Sequence, residues 1–318
     1  MGFDETVSQI TQIGLEWHKE VLLANTDLNS QYIDETIGDI GEELGPALIV
    51  SAGPSLYRQK ILSRLGGFKD TLIATDGAYI QCLRAKLVPD FVISLDPHPT
   101  RMVRWFGDPD FAVNSEGDDY FERQDLDITF RENAARTNEE NIELVNDNAW
   151  RTKFIVSTSC PRNVIERIWA AGGSLIWFVP LVDSPVAGSL TEQMCEMAQA
   201  KAMNTGGTVG TAAWVFAHSI LKSQNIAVVG MDFGYPLGTP LEKTQSWHML
   251  GGSSAMYPRK TGYWGESFTD PTYWWYLQNF LGLLKANTAR IVNCSGEGLL
   301  CGNGVTCMEL EDWLRSFS

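Results

Sequence analysis

The chain has 318 residues, 44% hydrophobic and 20% charged, which is long enough to bury a sizeable core in one or two domains. Its formal net charge of −15 disfavours nucleic acid or an anionic membrane as a partner. No apolar run reaches the roughly 20 residues of a membrane helix, and the first residues lack a signal-peptide pattern. The six cysteines form no Cys-x-x-Cys pair and the four histidines are scattered, so we expect no zinc site, no disulfides and a cytoplasmic location.

The first part of the chain, residues 1–44, is predicted to be an N-terminal helical extension. Apolar side chains recur at steps of three and four residues over positions 4–23, which is typical of an amphipathic helix. Residues 25–43 are polar and acidic. We interpret them as a solvated helix and linker without chemistry.

Residues 46–56 form the most informative stretch. The unbroken apolar run 47–50 is closed by Gly53 and Pro54, which predicts a buried strand, a tight turn and a helix. The free N–H groups of such a turn are suited to binding an anion. An ordinary strand-to-helix connection without a ligand is the alternative.

Further strands are predicted at 71–75, 90–95, 154–157, 174–179, 225–231 and 289–293, alternating with helical patterns. This alternation predicts an α/β, Rossmann-like fold with a mostly parallel sheet and helices on both faces. Residues 45–318 would form this α/β domain, and the resemblance described below implies that it binds a nucleotide and is catalytic. Residues 108–150 are polar and are predicted to be an insertion or a lid.

Polar residues follow several predicted strands, where ligands bind in open α/β sheets. Asp76, Asp96 and Asp232 occupy three such positions, and could orient sugar hydroxyls, hold a divalent cation or act as bases. Each could instead cap a helix or complete a turn. Arg101 and Arg104 could offset phosphate charge or form exposed salt bridges.

A second glycine-rich element spans residues 204–211, and Thr208 is the expected cap of the helix that follows. We expect no strand directly before it, and it matches neither the Rossmann fingerprint nor a P-loop. It could bind a phosphate or carboxylate, or provide close helix–sheet packing. Tyr273 and Tyr276 have helical spacing, which favours a packed helix over stacking on a sugar or base.

Four motifs, taken in order, resemble the MptE-like family. Residues 49–56 look like its Gly-Pro-Ser-Leu signature, and residues 89–96 resemble another block. Residues 205–233 are similar to a later block, and residues 292–299 to a C-terminal element. The family includes bacterial motility accessory factors, which are flagellin nonulosonic-acid transferases, and archaeal 6-hydroxymethylpterin diphosphokinases. The Gly-Pro-Ser turn also occurs in bacterial sialyltransferases that use CMP donors.

The resemblance implies a transferase that moves a sialic-acid-like sugar from a CMP donor to a protein or glycan acceptor, without a required cofactor. The sialyltransferases place a histidine before a Thr-Asp pair, whereas this sequence has Glu266 before Thr269 and Asp270. The catalytic candidates are therefore His248, Glu266 and Asp232. The implied nucleotide-binding residues are Gly53, Pro54, Ser55, Leu56, Asp76, Gly77, Asp96, His98, Thr205, Gly206, Gly207 and Thr208.

Two alternatives stay open. A diphosphokinase would transfer pyrophosphate from ATP to a pterin-like alcohol, with Mg²⁺ held by Asp76 and Asp96. The pterin enzymes carry two aspartates in the block where residues 93–98 have only Asp96, which weakens this hypothesis. A non-catalytic nucleotide- or sugar-binding protein is the other alternative, and a homo-oligomer stays open for all three.

Overall fold

The computed structural model describes residues 2–114, 134–244, 247 and 253–316, without the side chains of residues 11–17, 100–101 and 134–135. The strands are β1 (Ala47–Val50), β2 (Thr71–Thr75), β3 (Phe91–Ser94), β4 (Lys153–Ser157), β5 (Ser174–Leu181), β6 (Ala202–Asn204), β7 (Ile226–Val229), β8 (Tyr235–Pro236), β9 (Arg259–Gly262), β10 (Gly265–Phe268), β11 (Ile291–Asn293) and β12 (Val305–Cys307).

The helices in the described part of the chain are α1 (Phe3–Ser30), α2 (Pro54–Arg58), α3 (Asp76–Arg84), α4 (Pro99–Met102), α5 (Phe111–Asn114), α6 (Ala134–Asn148), α7 (Arg162–Ala170), α8 (Leu190–Ala198), α9 (Val209–Val215), α10 (Pro271–Ala286) and α11 (Leu310–Arg315). A π-helical turn, Phe216–Ile220, continues α9 directly.

Nine strands form one parallel sheet in the order β12-β11-β7-β1-β2-β3-β4-β5-β6, and β8, β10 and β9 form a small antiparallel sheet. The predicted Rossmann-like α/β fold is therefore confirmed. The sequence prediction missed β6, β8, β9, β10 and β12, which have two to four residues and no continuous apolar run. Contrary to expectation, the strand β6 leads directly into the glycine-rich element. The sequence did not indicate this strand because Met203 is its one buried residue.

Helices cover both faces of the sheet, which explains the unbroken apolar run in β1. Leu48 and Val50 pack into a core that includes side chains of α3, α7 and α11. Ala47 and Ile49 point to the other face, towards α9 and α10. All four side chains are completely buried. A strand buried on both faces cannot alternate apolar and polar residues.

The helix α1 extends to Ser30, further than predicted, and two polar residues of its last turns, Thr26 and Asn29, are completely buried. The Asn29 Nδ2 atom donates hydrogen bonds to the carbonyl oxygens of Thr158, at 2.9 Å, and Cys160, at 2.8 Å. The Asn25 side chain bonds the Ser159 carbonyl. One side of residues 25–30 is therefore not solvated, because Asn25, Thr26 and Asn29 bind the loop after β4, whereas Asp27 and Leu28 are exposed. The domain boundary after residue 44 stays a prediction.

Residues 108–150 are only partly described, since 115–133 lie outside the described residues. The helix α6 packs against α3, and Val145 is fully buried. The Asn138 side chain binds both the N–H and the carbonyl of Asp108. This part of the predicted insertion is packed into the fold by polar side chains, which its composition did not reveal. Among the described helices, none combines the length and apolar composition that a bilayer crossing needs.

Candidate functional site

A cavity of about 910 Å³ lies at the carboxyl ends of β1, β2, β3 and β7. From β1 the chain builds the sheet outwards to β6, and then returns to place β7 on the other side of β1. This reversal is a topological switch point, where open α/β sheets bind ligands. Further walls come from the starts of α9 and α10, from α2 and the turn after it, and from residues 235–243. The strand-end rule used on the sequence therefore identified residues that lie around one cavity.

The turn between β1 and α2 touches the end of β7 through its backbone. The Gly53 N–H donates to the Gly230 carbonyl at 2.8 Å, and the Ser51 N–H donates to the Val229 carbonyl at 2.9 Å. A Cβ atom on Gly53 would collide with the Gly230 carbonyl oxygen and lie 2.7 Å from Asp232 Oδ2. Glycine is required because the two turns approach this closely.

Ser55 binds a carboxylate of the protein itself. Its N–H donates to Asp232 Oδ2 at 2.8 Å, and its hydroxyl donates to Asp232 Oδ1 at 2.6 Å. Ser55 is completely buried, whereas Gly53, Pro54 and Leu56 line the cavity. Burial raises the pKa of Asp232 to about 7, against the opposing effect of the two Ser55 donors. The N–H and the hydroxyl of Ser55, one of the predicted nucleotide-binding residues, are therefore both bonded to the Asp232 carboxyl group.

Asp76, Gly77 and Asp96 line the cavity from neighbouring strand ends. The Asp76 carboxylate accepts hydrogen bonds from the Gly77 N–H at 2.7 Å and the Ser94 hydroxyl at 3.0 Å. Burial raises the pKa of Asp76 to about 7, and the nearby Asp96 charge adds to this rise. Asp96 accepts the His98 N–H at 2.8 Å, and His98 is not among the cavity-lining residues. A carboxyl group that titrates near neutral pH can accept a proton from a substrate.

The glycine-rich element reaches the cavity because of how β6 pairs. Only the last three residues of β5 pair with β6, so β6 lies at the carboxyl edge of the sheet. Gly207 and Thr208 line the cavity, together with Val209 and Gly210 of α9. The predicted cap is confirmed, since the Thr208 hydroxyl accepts the Thr211 N–H at 3.1 Å.

Thr205 and Gly206 face the loop itself rather than the cavity. The Thr205 carbonyl accepts the Thr211 hydroxyl, and the Gly206 N–H donates to the Asn204 side chain at 2.9 Å. Neither residue is among those that line the cavity. Gly207 has a φ of +95°, and a Cβ there would lie 2.5 Å from the Trp275 ring. Close packing against α10 therefore accounts for this glycine.

Of the catalytic candidates, Asp232 lines the cavity, Glu266 is exposed on β10 away from it, and His248 lies outside the described residues. Arg104 is completely buried and donates to the Asn114 carbonyl at 2.7 Å. Its side chain is therefore not exposed, and it is not among the residues that line the cavity. The side chain of Arg101 lies outside the described residues.

Several cavity residues were missed from the sequence. The hydroxyls of Ser51 and Thr75, at the ends of β1 and β2, are buried and have no hydrogen-bond partner among the described residues. Their positions at the ends of predicted strands could have identified them as cavity residues. Tyr273 and Tyr276 belong to the predicted helix but also line the cavity. Among the described residues, those that line the cavity with a positive charge are Arg58, Lys60 and Lys243.

The donor set for a metal ion is small. In the residues that the structure describes, no three side chains of His, Cys, Asp or Glu are grouped to hold one. Asp76 and Asp96 form only a pair, which could complete a Mg²⁺ site with substrate phosphates. All six cysteines are free.

No model of a known protein family matches the sequence, and no curated protein matches it. The fold is shared with a solved glycosyltransferase. The structure of the MAf glycosyltransferase from Magnetospirillum magneticum AMB-1 aligns with 94% of this chain at a TM-score of 0.57 and 12% sequence identity. The aligned part is 40% of that protein, so this chain spans less than half of its length. At this identity the similarity concerns the fold.

Proposed function

We propose that this protein is a glycosyltransferase that takes a nucleotide-activated sugar as donor, with a CMP-linked nonulosonate favoured. The observation that carries the proposal is the cavity at the switch point, which combines strand-end carboxyl groups with a helix start and basic side chains. Its volume of about 910 Å³ falls in the range of small-molecule sites. The fold shared with the Magnetospirillum enzyme and the resemblance to MptE-like proteins support the same activity.

The geometry indicates a separate role for each group of cavity residues. The N–H groups of Val209 and Gly210 belong to the first turn of α9, where helical backbone donors lack internal partners and favour anions. Asp76 and Asp96 would accept hydrogen bonds from sugar hydroxyls. An acceptor hydroxyl would attack the anomeric carbon while the bond to the phosphate oxygen breaks, and CMP would leave with that electron pair. The Asp76 carboxylate is the base that we favour.

Nucleotide binding gives the direct test. We expect CMP to raise the melting temperature, because a ligand present at about 100 times its Kd stabilises the native state by about 2.7 kcal/mol. Ala52 is exposed and lines the cavity, so Ala52→Trp should abolish the shift by filling the space. Thermal unfolding with CMP, CDP, UDP, GDP and ATP, with and without Mg²⁺, measures both effects.

The matched control is Ala170→Trp. Ala170 is exposed at the end of α7. Because α7 follows the parallel strand β4, it runs back towards the amino ends of the strands, away from the cavity. The control should keep the CMP shift. If no nucleotide shifts the wild type, or if Ala52→Trp keeps the shift, nucleotide binding in this cavity is disproved.

The diphosphokinase stays the second candidate because Asp76 and Asp96 lie close enough for the charge of one to raise the pKa of the other. Mg²⁺ commonly binds one or two carboxylates together with substrate phosphates. A shift that requires both ATP and Mg²⁺, with release of AMP in the presence of a hydroxymethylpterin, would favour this activity over glycosyl transfer. Binding without turnover of either donor would favour the non-catalytic alternative.

A further inference from the structure

The side chain of Arg58 is bound in a way that leaves most of its donors available. It is the last residue of α2 and lines the cavity. Its Nε atom donates to both oxygens of Glu297, at 3.1 and 3.0 Å. Within the described part of the chain, neither terminal Nη atom of Arg58 donates a hydrogen bond. A guanidinium carries five N–H donors in a planar fork, so four of them remain for a ligand.

A second Arg–Glu pair a few residues away shows the contrasting arrangement. Arg64 donates from Nε to Glu311 Oε1 at 2.6 Å and from Nη2 to Glu311 Oε2 at 2.5 Å. It does not line the cavity. Arg64 thus spends its fork on a carboxylate of the protein, which is the usual structural use of arginine. Arg58 is held by one edge only.

Glu297 is fixed by its own surroundings. Its Oε1 atom accepts the Gln59 side-chain amide at 2.6 Å. The next residues are bound to the end of β7, since the Leu299 N–H donates to the Asp232 carbonyl at 2.7 Å. A Cβ on Gly298 would lie 2.7 Å from Asp232 Cα, so the two segments are in backbone contact. The loop that carries Glu297 is therefore anchored to the floor of the cavity.

The cavity needs a cation if it is to bind an anionic ligand, because Asp76, Asp96 and Asp232 also line it and the chain has a net charge of −15. We propose that Arg58 binds the phosphate of the ligand through its two terminal nitrogens, and that Glu297 positions the guanidinium by holding Nε. The planar guanidinium can donate to two phosphate oxygens at once, whereas a lysine ammonium acts as a point charge and cannot. The inference rests on the proposed function only for the identity of the nucleotide.

The contribution of the phosphate is measured by comparing CMP with cytidine, which has the same nucleoside and no phosphate. The ratio of the cytidine Kd to the CMP Kd, from calorimetric titration, isolates that contribution. We expect Arg58→Lys to lower this ratio about tenfold, since it keeps the charge but loses the fork. Cytidine binding should not change. The matched control, Arg64→Lys, should leave the ratio within about twofold of the wild type.

Glu297→Gln tests the positioning role, because its two effects have opposite signs. Removal of the negative charge alone would strengthen CMP binding, whereas loss of orientation weakens it. We expect weaker CMP binding, unchanged cytidine binding, and no further loss when the change is added to Arg58→Lys. Stronger CMP binding would show that Glu297 acts only as a competing charge, and would overturn its positioning role.

Titration with inorganic pyrophosphate separates this inference from the proposed function. Binding of pyrophosphate that depends on Arg58, without binding of CMP or cytidine, would support the anion site and remove the support for a cytidine nucleotide donor. CMP binding with an unchanged ratio in Arg58→Lys would overturn the inference and leave the proposed function intact. If the wild type binds neither CMP nor pyrophosphate, the anion site is refuted.

Discussion

Asp232 is a carboxyl group on which burial and hydrogen bonding act in opposite directions. It is 6% exposed, and removal from water raises its pKa, whereas the hydroxyl and N–H of Ser55 stabilise the ionised form. Glu297 raises the pKa further and Arg58 lowers it. Burial has the larger effect, so the group titrates near pH 7 at the cavity.

The raised pKa predicts a specific dependence of stability on pH. The folded protein holds the Asp232 proton up to about pH 7, whereas the unfolded chain releases it near the ordinary value of 3.8. The stability contributed by the neutral form is therefore fully present below about pH 4 and is lost as the pH rises to about 7. We expect the stability of the wild type relative to Asp232→Asn to fall by a few kcal/mol over this interval and to be constant above it.

Urea unfolding of both proteins at intervals between pH 3.5 and 8.5 checks this difference. The comparison with the variant cancels the titration of groups that both proteins share. Asp34→Asn, at an exposed position, controls for the substitution itself. A difference between wild type and Asp232→Asn that rises with pH would contradict the prediction.

At the scale of elements, α1 is attached to the sheet layer through polar contacts at its C-terminal end. The Asn29 side chain is completely buried and bonds two carbonyl groups of the loop after β4. We expect Asn29→Ala to lower the free energy of unfolding by about 2–4 kcal/mol, because two buried acceptors lose their donors. Denaturant unfolding measures the loss.

Asn287→Ala is the matched control, because the Asn287 side chain also donates to a backbone carbonyl, that of Leu283, but is exposed. Water replaces the lost donor there, so the cost should stay within about 0.5 kcal/mol. Equal losses in the two variants would refute the view that burial makes the α1 contact important.

The strands that could be predicted from the sequence are those that are buried in the sheet. The strands β1, β2, β3, β4 and β7 are buried on both faces, and each left an apolar run that gave its position. The strand β6 has three residues, two of them exposed, so its pattern resembled a loop. The turn chemistry of Gly53 and Thr208 was predictable because it depends on local backbone geometry.

The partners of the site residues were not predictable, because they come from distant parts of the chain. Ser55 was predicted to bind a nucleotide, and no local pattern indicates its hydrogen bond to Asp232, which lies 177 positions later. Arg58 and Glu297 are separated by 239 positions, and no local pattern relates them. The burial of Arg104 was not predictable either. Its sequence context indicated an exposed charge, but neighbouring parts of the fold bury it completely.

On the scale of the whole molecule, the negative charge is a general source of repulsion. With a formal net charge of −15, the folded chain concentrates like charges that the unfolded chain spreads apart. We expect the melting temperature at pH 7.5 to rise by a few degrees between 10 and 150 mM NaCl, because the Debye length shortens from about 30 Å to about 8 Å.

Calorimetric scans measure this shift. The same scans at pH 5, close to the sequence pI of 4.7, provide the control, because the net charge is small there. The rise should shrink strongly at that pH. An equal rise at both pH values would assign the effect to the salt rather than to the charge of the protein.

The interior position of β1 in the sheet has a consequence during synthesis of the chain. One edge of β1 can pair with β2 soon after both are made, but the other edge pairs with β7, which begins at Ile226. At about 5–20 residues per second, the ribosome needs on the order of 10–35 s to extend the chain from β1 to β7. Until then the nascent protein has an unpaired apolar strand edge, which is prone to aggregation. Expression of this protein should therefore depend on chaperones that bind the emerging chain before β7 is made.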